Sequence, residues 1–515
     1  MEKTKEDITH KKNSIGSKDE DQKNEINCKI EEQKESKNIS ESTNCPIKID
    51  NNENLENANS EQKLTEAKIN EINKEQNSED NKEKITEQKE QKKEESKNMS
   101  PDYFNLQNML KDPQNRHLYE LYKRKEALFS THQFWDTQPI QKIASALYSN
   151  ETNCPLKKIL PEEIKANPYN LPQGFEWVNV NITNEKELDE LHQFLKENFV
   201  DSSKISQYYS QDFIKWIICN SNYSADLQIG VKITKTQKLV GFISGKIITI
   251  IMNKQELSFC EPHFLCIYHK LRGNRLAPVL IKELIRRTNL KGVYQGIYGL
   301  NFYLPMPFIE LTTHRRVINV RKLLDLWLIK QEAKTVVKSK PVQKKYKLPV
   351  KKILEFRPMT NEDIQQVHAL LNAYSSKLKI SLKITKDQIP NLFLTNNIVY
   401  SFVVESENKT ISDFISFYVV DSLISGNKKY NQLKEGFLFY YATTKSQINE
   451  LINECLIMAE EKGVDIMTCT NLMDNVDFLD KTKFELSKNQ LMLHFFNWNS
   501  EIIEANSIGY IPICC

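Results

Sequence analysis

The chain has 515 residues, enough for two or three domains, with 27% charged residues and a formal net charge of +3. A net charge this small creates no overall field that attracts nucleic acid, so direct nucleic-acid binding is not expected and any anion site must be local. The apolar stretch 239–252 contains Lys246 and is too short to span a bilayer. The ten cysteines show no CxxC pairs and no signal peptide precedes them, which predicts a cytoplasmic protein with reduced thiols.

The first hundred residues differ in composition from the rest of the chain. Residues 1–100 contain no Phe, Tyr or Trp and consist mainly of Lys, Glu, Asn, Gln and Ser. Such a segment cannot bury enough apolar surface to offset its chain entropy, so it is predicted to be a disordered tail. A solvated extension and a tether to ribosomes or membranes are both open interpretations of this tail. Aromatic residues begin at Tyr103, where a globular pattern starts.

The globular part contains two pairs of segments that resemble each other. Residues 183–195 and 360–371 each place Thr or Asn before a helical pattern with an acid in its first turn. Residues 231–245 and 403–417 both read as strand, polar turn and strand, and both contain Phe-Ile-Ser. The nearly equal spacing of the two pairs indicates a duplicated domain.

The repeat predicts an α/β fold built from two fused halves around a mixed, mostly antiparallel sheet. Each half reads as helix, hairpin, long strand and helix. The first half is predicted to span residues 101–345 and the second half residues 346–515. The basic, Pro-containing stretch 330–346 is the expected connection between them.

An anion site is predicted where a strand of the first half meets a helix. An apolar run ends at Cys266, a basic loop with Arg272, Gly273 and Arg275 follows, and a helical pattern begins at Ala277. A helix N-terminus offers unpaired amides and a partial positive charge, and two arginines just before it would complete a site for a pyrophosphate. The helix is expected to turn one apolar face inward and to carry its charged residues on the opposite face. Those charged residues are Lys282, Glu283, Arg286 and Arg287.

The same loop and five other stretches match the motifs of one acyltransferase family. The arrangement Arg272-x-x-Arg275-x-Ala277 after an apolar strand is that of GNAT-type acyl-CoA transferases. The other stretches are FWDTQP at 134–139, YNLPQGF at 169–175, EPHFLC at 261–266, RPM at 357–359 and LMDNVDFL at 472–479. Through them the chain resembles the N-myristoyltransferase (glycylpeptide N-tetradecanoyltransferase) family, a fold of two fused GNAT-like halves. The resemblance runs from about Tyr119 to the end of the chain.

The resemblance implies transfer of a tetradecanoyl group from myristoyl-CoA, a co-substrate, to the N-terminal glycine of peptides or nascent proteins, with no resident cofactor or metal. The backbone N–H groups of Phe264 and Leu265 would form the oxyanion hole, because negative charge develops on the thioester oxygen. The C-terminal carboxylate, on Cys515, would accept the ammonium proton. Cys266 is expected to be a buried small residue and not a nucleophile. The residues that the resemblance assigns to acyl-CoA binding are Gln133, Phe134, Trp135, Phe264, Leu265, Cys266, Ile267, Arg272, Gly273, Arg275, Leu276 and Ala277.

The chain departs from the family pattern where the peptide is expected to bind. His263 stands in place of an Asn beside the oxyanion hole, and Gly299 stands in place of a Thr often assigned to catalysis. Residues 201–206 replace an acidic run, and residues 483–489 replace a glycine-rich segment; both replacements introduce a lysine. We therefore expect a peptide substrate to carry neutral or acidic residues after its glycine.

The base and the activity leave alternatives open. The chain ends about two residues beyond the usual terminus of the family, so either its end folds back or the Cys515 carboxylate enters the site by another path. In that case His263 or Tyr298 could assist as a base. Two alternatives to N-myristoyl transfer are an acyl-CoA-binding protein without transfer activity and an acyltransferase for a different amine.

Overall fold

The computed structural model describes residues 130–142, 152–199, 204–219, 222–302, 304, 306–329, 339–349, 354–501 and 503–513. All of them belong to the compact unit Gln107–Cys515. The predicted tail, the part 330–338 of the predicted connection, and Cys515 lie outside the described residues. Within the described part of the chain, no helix combines the length and the apolar composition needed to cross a membrane.

The first repeat supplies seven strands and five helices to the described structure. The strands are β1 (Phe175–Asn179), β2 (Ile205–Tyr208), β3 (Gln228–Ile233), β4 (Leu239–Met252), β5 (Gln255–Ile267), β6 (Gln295–Leu300) and β7 (Ile309–Val317). The helices are α1 (Glu185–Asn198), α2 (Gln211–Ile218), α3 (Leu276–Leu290), α4 (Val320–Asp325) and α5 (Ser339–Tyr346).

The second repeat follows the same order of elements. Its strands are β8 (Phe356–Pro358), β9 (Ile380–Leu382), β10 (Val399–Glu405), β11 (Ile411–Ile424), β12 (Gln432–Thr443), β13 (Ile466–Thr470), β14 (Glu485–Phe496) and β15 (Ile508–Gly509). Its helices are α6 (Ile364–Ser375), α7 (Ile389–Phe393) and α8 (Ile448–Glu461). The prediction of an α/β protein with two similarly built halves around a mixed sheet is confirmed.

The sheet shows that the two repeats exchange strands. Its order is β1-β3-β4-β5-β6-β14-β7-β13-β12-β11-β10-β8, so β14 of the second repeat lies between β6 and β7 of the first. β7, which is the equivalent of β14 in the first repeat, lies next to β13 of the second repeat. In the same way, β2 pairs with β11 and β9 pairs with β4. Because every exchange has its counterpart, the two repeats share one pseudo-symmetric sheet.

Capping interactions fix the start of the first helix in each repeat. The Asn184 side chain accepts a hydrogen bond from the Lys186 amide at 3.0 Å and begins α1. In the second repeat, Thr360 and Asp363 form a capping box before α6, and the Thr360 amide donates to Asp363 at 2.8 Å. Both caps use residues that the sequence predicts for this role, since a side-chain oxygen satisfies an amide that lacks a helical partner.

Helices cover both faces of the sheet near β4 and β5. Phe242 packs in one core cluster with residues of α1 and α2, whereas its neighbour Ile243 packs in another with Leu280 and Leu284 of α3. Adjacent residues of a strand point to opposite faces, so α3 lies on the face opposite to α1 and α2. The close approach of α3 depends on Gly245 of β4, where an added Cβ would lie 2.4 Å from a Leu284 methyl group.

Candidate active site

A β-bulge interrupts the pairing of β4 and β5 at the predicted oxyanion residues. Phe242 pairs with Cys266 and Ser244 pairs with His263, so Phe264 and Leu265 together oppose the single residue Ile243. Phe264 has φ +53°, a left-handed conformation that a bulky side chain rarely adopts. A conformation of this kind costs about 1–3 kcal/mol and persists only where its surroundings enforce it. The bulge therefore places the backbone of Phe264 and Leu265 outside the regular ladder.

The other edge of β5 opens toward a cavity. β5 and β6 pair in parallel only at Phe259 with Gln295 and at Cys260 with Gly296, and the cavity lies beyond this point. Its volume is about 800 Å³, within the range of roughly 300–1,000 Å³ typical of ligand pockets. Its apolar wall includes Phe199, Ile243, Ile281, Leu284, Ile285 and Phe496.

The predicted anion site lies at the start of α3, which begins at Leu276. Gly273 has φ +88° and Arg275, at the N-cap of α3, has φ +57°, so the loop turns sharply just before the helix. Arg275 is exposed. The Arg272 guanidinium donates to the carbonyls of Asn198 and Ile267, which ties the loop to the end of α1 and to β5. The structure thus brings both arginines close to one helix N-terminus and gives Arg272 a structural role.

The charged side chains predicted opposite the apolar face of α3 are largely buried. Glu283 is fully buried and accepts hydrogen bonds from Arg286 at 2.8 Å and from Arg287 at 2.8 Å. Burial would raise the pKa of Glu283, but these two arginines and the Tyr169 amide outweigh it and lower that pKa. Arg286 also donates to the carbonyls of Lys165 and Ala166 at 3.1 Å. The charged face of α3 is therefore buried because the segment before β1 packs over this side of the helix.

An aromatic stack joins the FWDTQP segment to the cavity. The ring of Trp135 stacks on Tyr298 at 5.4 Å, and Tyr298 stacks in turn on His494 at 5.4 Å. Phe134 contacts Trp135 edge to face, and Ile140 forms a β-bridge with Phe496. Trp135 and Tyr298 line the cavity, so the segment that carries Trp135 lies beside it.

Burial decides the ionisation of the nearby groups. Burial raises the pKa of the Cys266 thiol to about 12, which makes this residue an apolar part of the core, as expected, and not a thiolate nucleophile. It also raises the pKa of the Tyr298 phenol well above its usual range. The pKa of His494 is lowered to about 4, again by burial, so its imidazole is neutral.

A buried polar network lies directly before the bulge. His263 is 3% exposed, and its Nε2 lies 3.2 Å from a carboxylate oxygen of Glu261. The Tyr510 hydroxyl donates to the other carboxylate oxygen at 2.5 Å, and the Lys246 ammonium lies 3.9 Å from Glu261. Burial would raise the pKa of Glu261, but His263, Lys246 and Tyr510 outweigh it and lower that pKa to about 2. Glu261 is therefore a carboxylate at neutral pH.

Sequence reasoning did not find Glu261 or Tyr510. Glu261 stands in the EPHFLC stretch, and its alternation with His263 on an extended strand was the available signal, since residues i and i+2 share a face. Nothing in the sequence links Tyr510 to a strand 249 positions earlier. The structure also brings residues 510–513 to the cavity, so the described end of the chain leads toward the site.

The second repeat contains a bulge at the equivalent place, but there the opposing side chain forms hydrogen bonds with the bulge backbone. Ile415 pairs with Tyr441 and Phe417 pairs with Leu438, so Phe439 and Tyr440 of β12 oppose the single residue Ser416. The Tyr440 amide donates to the Ser416 hydroxyl at 3.1 Å, and that hydroxyl donates to the Tyr440 carbonyl at 2.8 Å. The bulge of the first repeat has Ile243 in the opposing position, and Ile243 carries no hydroxyl.

The far end of the cavity is polar and lies among strands of both repeats. Arg315 of β7 lies 3.2 Å from the Glu435 carboxylate of β12, which also accepts a hydrogen bond from Thr468 at 2.5 Å. Lys488 of β14 lines the same region. The apolar wall and these polar side chains give the cavity two chemically distinct regions.

Of the predicted site residues, three line this cavity, two lie in the adjoining segment, and seven lie outside its lining, at the end of β5 and the start of α3. Trp135, Phe264 and Leu265 line it, and Gln133 and Phe134 lie in the segment that carries Trp135. The residues at the end of β5 and the start of α3 are Cys266, Ile267, Arg272, Gly273, Arg275, Leu276 and Ala277. Cys515 lies outside the described residues.

Comparison with known proteins agrees with this arrangement. The family described as Myristoyl-CoA:protein N-myristoyltransferase, N-terminal domain, matches residues 155–310, and its C-terminal domain matches residues 331–509. Glycylpeptide N-tetradecanoyltransferase 2 of Danio rerio is 33% identical over 390 residues, which are 75% of this chain and 78% of that protein. Glycylpeptide N-tetradecanoyltransferase of Plasmodium falciparum is 32% identical over 406 residues, covering 78% of this chain and 98% of the relative.

A solved structure supports the same relationship. The crystal structure of Saccharomyces cerevisiae N-myristoyltransferase with bound myristoyl-CoA matches with a TM-score of 0.70 and 28% sequence identity. The match covers 77% of this chain and 99% of the yeast chain. Sequence motifs, fold and site geometry thus lead to one conclusion: the chain belongs to the N-myristoyltransferase family.

Proposed function

We propose that the protein transfers a tetradecanoyl group from myristoyl-CoA to the N-terminal glycine amine of peptides and nascent proteins. The observation that carries this proposal is the bulge at Phe264 and Leu265, which faces a cavity with an apolar wall and a polar far end. Relatives named glycylpeptide N-tetradecanoyltransferase and the yeast structure with bound myristoyl-CoA support the choice of substrates.

The bulge fits the electronic demand of acyl transfer. The neutral amine attacks the thioester carbon, and the carbonyl π electrons move to oxygen, which becomes negatively charged. The backbone N–H groups of Phe264 and Leu265 donate to this oxygen and stabilise it, since preorganised donors act most strongly in a site that excludes water. The oxygen then returns its electrons, the carbon–sulfur bond breaks, and the CoA thiolate leaves with a proton from the attacking nitrogen.

The CoA diphosphate binds at the start of α3. Arg272 and Arg275 supply charge-assisted hydrogen bonds, and the helix-start amides of Leu276 and Ala277 supply further donors. Gly273 permits the left-handed turn that brings this loop to the helix. The wall at Cys266 and Ile267 continues this site along β5.

The FWDTQP segment closes the acyl-CoA site, and the two repeats divide the substrates. Gln133 and Phe134 accompany Trp135, whose stack on Tyr298 anchors the segment beside the cavity. The half 101–345 holds the acyl-CoA and the half 346–515 contributes most of the peptide site. Strand exchange supports a shared site, because β14 brings Lys488 between strands of the first repeat.

The C-terminal carboxylate of Cys515 lies close to the reacting amine in this proposal. The support is that residues 510–513 line the cavity. We further place the activity in the cytoplasm, with the tail 1–100 available for association with ribosomes or membranes.

The test is incubation of the full-length protein with myristoyl-CoA and a panel of glycine-initiated peptides, followed by mass spectrometry. The expected product is a peptide heavier by one tetradecanoyl group, with faster turnover where neutral or acidic residues follow the glycine. An N-acetylated copy of each peptide is the matched control, because it has no free α-amine. Acylation of the blocked peptide would indicate a lysine acceptor, and tight myristoyl-CoA binding without any product would overturn the proposed function.

A further inference from the structure

An ion pair joins the two repeats at the polar end of the cavity. Arg315 of β7 and Glu435 of β12 both line the cavity, and an Nη2 nitrogen of Arg315 lies 3.2 Å from a carboxylate oxygen of Glu435. The same oxygen accepts a hydrogen bond from the Thr468 hydroxyl of β13 at 2.5 Å. Because β7, β13 and β12 are neighbouring strands of the sheet, this network fixes the position of the guanidinium.

The guanidinium is the more accessible member of this pair. The side chain of Arg315 is 40% exposed, whereas that of Glu435 is 9% exposed. A guanidinium also has five N–H donors, more than one carboxylate can accept. A ligand that enters this end of the cavity therefore meets positively charged donors, and the carboxylate that holds them lies behind.

The surrounding carboxylates leave these donors to a ligand. Among the described residues that line the cavity, the other carboxylate is that of Glu261, which lies directly before the bulge in the network with its own partners. Glu485 stands opposite Arg315 in the register of β14 and β7, but it pairs with Lys345 and lies outside the cavity lining. An acidic group in the cavity would therefore compete for Arg315 with Glu435 alone.

The polar end and the bulge belong to the same cavity. Phe264 and Leu265 line it together with Arg315. A peptide whose glycine amine reaches the thioester carbon at the bulge therefore extends from there toward the polar end. In an extended chain successive residues advance by about 3.3 Å and their side chains alternate in direction, so only some of the side chains after the glycine face Arg315.

We infer, on the basis of the function proposed above, that Arg315 is a specificity-determining residue that binds an aspartate or glutamate side chain following the glycine of the peptide. The planar guanidinium binds a carboxylate through two parallel N–H···O bonds. Glu435 and Thr468 position it, and a side chain that is already held loses less entropy when a ligand binds. The like charge of Glu435 reduces the gain, so the expected preference for an acidic residue is about tenfold.

The experiment measures kcat/KM for pairs of glycine-initiated peptides that differ only by Asp or Asn at one position, with that position scanned along the peptide. The wild-type protein should prefer the Asp peptide about tenfold at the position that faces Arg315. Arg315→Gln should remove this preference and leave kcat/KM for the Asn peptide nearly unchanged. Arg315→Lys should retain only part of it, because an ammonium group cannot bind a carboxylate in the same bidentate way.

Two further variants separate recognition from the effect of an unpaired Glu435. Arg315→Gln combined with Glu435→Gln leaves no uncompensated buried charge, so it should be folded and should also lack the Asp preference; it decides if the single variant unfolds. Glu435→Gln alone should preserve the preference, because Arg315 keeps its charge. Arg321→Gln on α4 is the matched control, since this exposed arginine also pairs with a carboxylate, and it should keep the wild-type ratio. Myristoyl-CoA binding and thermal melting verify that each variant is folded.

Four results would overturn the inference while the proposed function stands. The first is equal kcat/KM for the Asp and Asn peptides at every position, and the second is an Asp preference that survives Arg315→Gln but is lost in Lys488→Gln. The third is an equal loss for both peptides in Arg315→Gln, which would show a structural role. The fourth is a wild-type preference for Lys over Gln that Glu435→Gln removes. A folded wild-type protein that binds myristoyl-CoA but acylates no peptide would overturn both proposals.

Discussion

Two substitutions of Arg275 distinguish the contribution of its side chain to binding of CoA phosphate from the backbone strain at its position. Arg275 is the exposed N-cap of α3 and has φ +57° and ψ 19°. The side chain has no part in the apolar core, so Arg275→Gly and Arg275→Ala remove the same guanidinium without opening a cavity. Only the alanine keeps a Cβ in the left-handed region, so the two variants differ chiefly in backbone strain.

The expected magnitudes follow from this geometry. A hydrogen bond from a charged group contributes about 1.5–3 kcal/mol, and solvent exposure favours the lower end, so both variants should bind myristoyl-CoA about tenfold more weakly. The left-handed conformation costs about 1 kcal/mol for a residue with a Cβ. The free energy of unfolding of the glycine variant should therefore exceed that of the alanine variant by about 1 kcal/mol.

Isothermal titration calorimetry with myristoyl-CoA and urea denaturation measure the two effects. Arg321→Ala on α4 is the control, because it removes the same charge from a side chain that is 65% exposed and contacts Asp325. Its affinity for myristoyl-CoA should equal that of the wild-type protein. Unchanged affinity in both Arg275 variants would refute the assignment of this loop to the CoA phosphates.

Three further predictions concern stability. Ser416→Ala should lower the free energy of unfolding by about 1–3 kcal/mol in urea denaturation, because the buried Tyr440 amide loses its acceptor, while myristoyl-CoA affinity is unchanged. Ionised Glu261 stabilises the fold above its unfolded pKa of about 4.3, and this contribution is lost as the pH falls toward about 2. Glu261→Gln should therefore make the free energy of unfolding less dependent on pH between these two values. Gly245→Ala should lower stability by about 1–3 kcal/mol, because the added Cβ would lie 2.4 Å from a Leu284 methyl group; a melting temperature equal to that of the wild-type protein would contradict this close packing.

The two bulges show how one duplicated unit serves two purposes. In the second repeat the Ser416 hydroxyl forms hydrogen bonds with the Tyr440 amide and carbonyl, so the backbone of this bulge is satisfied within the core. In the first repeat Ile243 opposes the bulge, and Phe264 holds the left-handed conformation. The two bulges therefore differ in the side chain that opposes them, Ser416 in one and Ile243 in the other.

The turn and the helix start at the predicted anion site were predictable, because they depend on local sequence. Gly273, the two arginines and the helix start at Leu276 follow from turn geometry and helix-terminus electrostatics, which depend on a few consecutive residues. The burial of the charged face of α3 could not be predicted, because it is set by the segment around Tyr169 and not by the helix itself. The Glu261 network was missed for the same reason, since Tyr510 approaches it from the end of the chain.

The sequence by itself determined the duplication, the succession of helix, hairpin, long strand and helix in each repeat, and the family to which the chain belongs, because hydrophobic periodicity and short motifs are local properties. Only the tertiary structure decided that β7 and β14 change places, that β5 bulges at Phe264 and Leu265, and that Glu261 and His263 form a buried pair. These features depend on which strands pair and in what register, and register is fixed by the packing of the whole sheet.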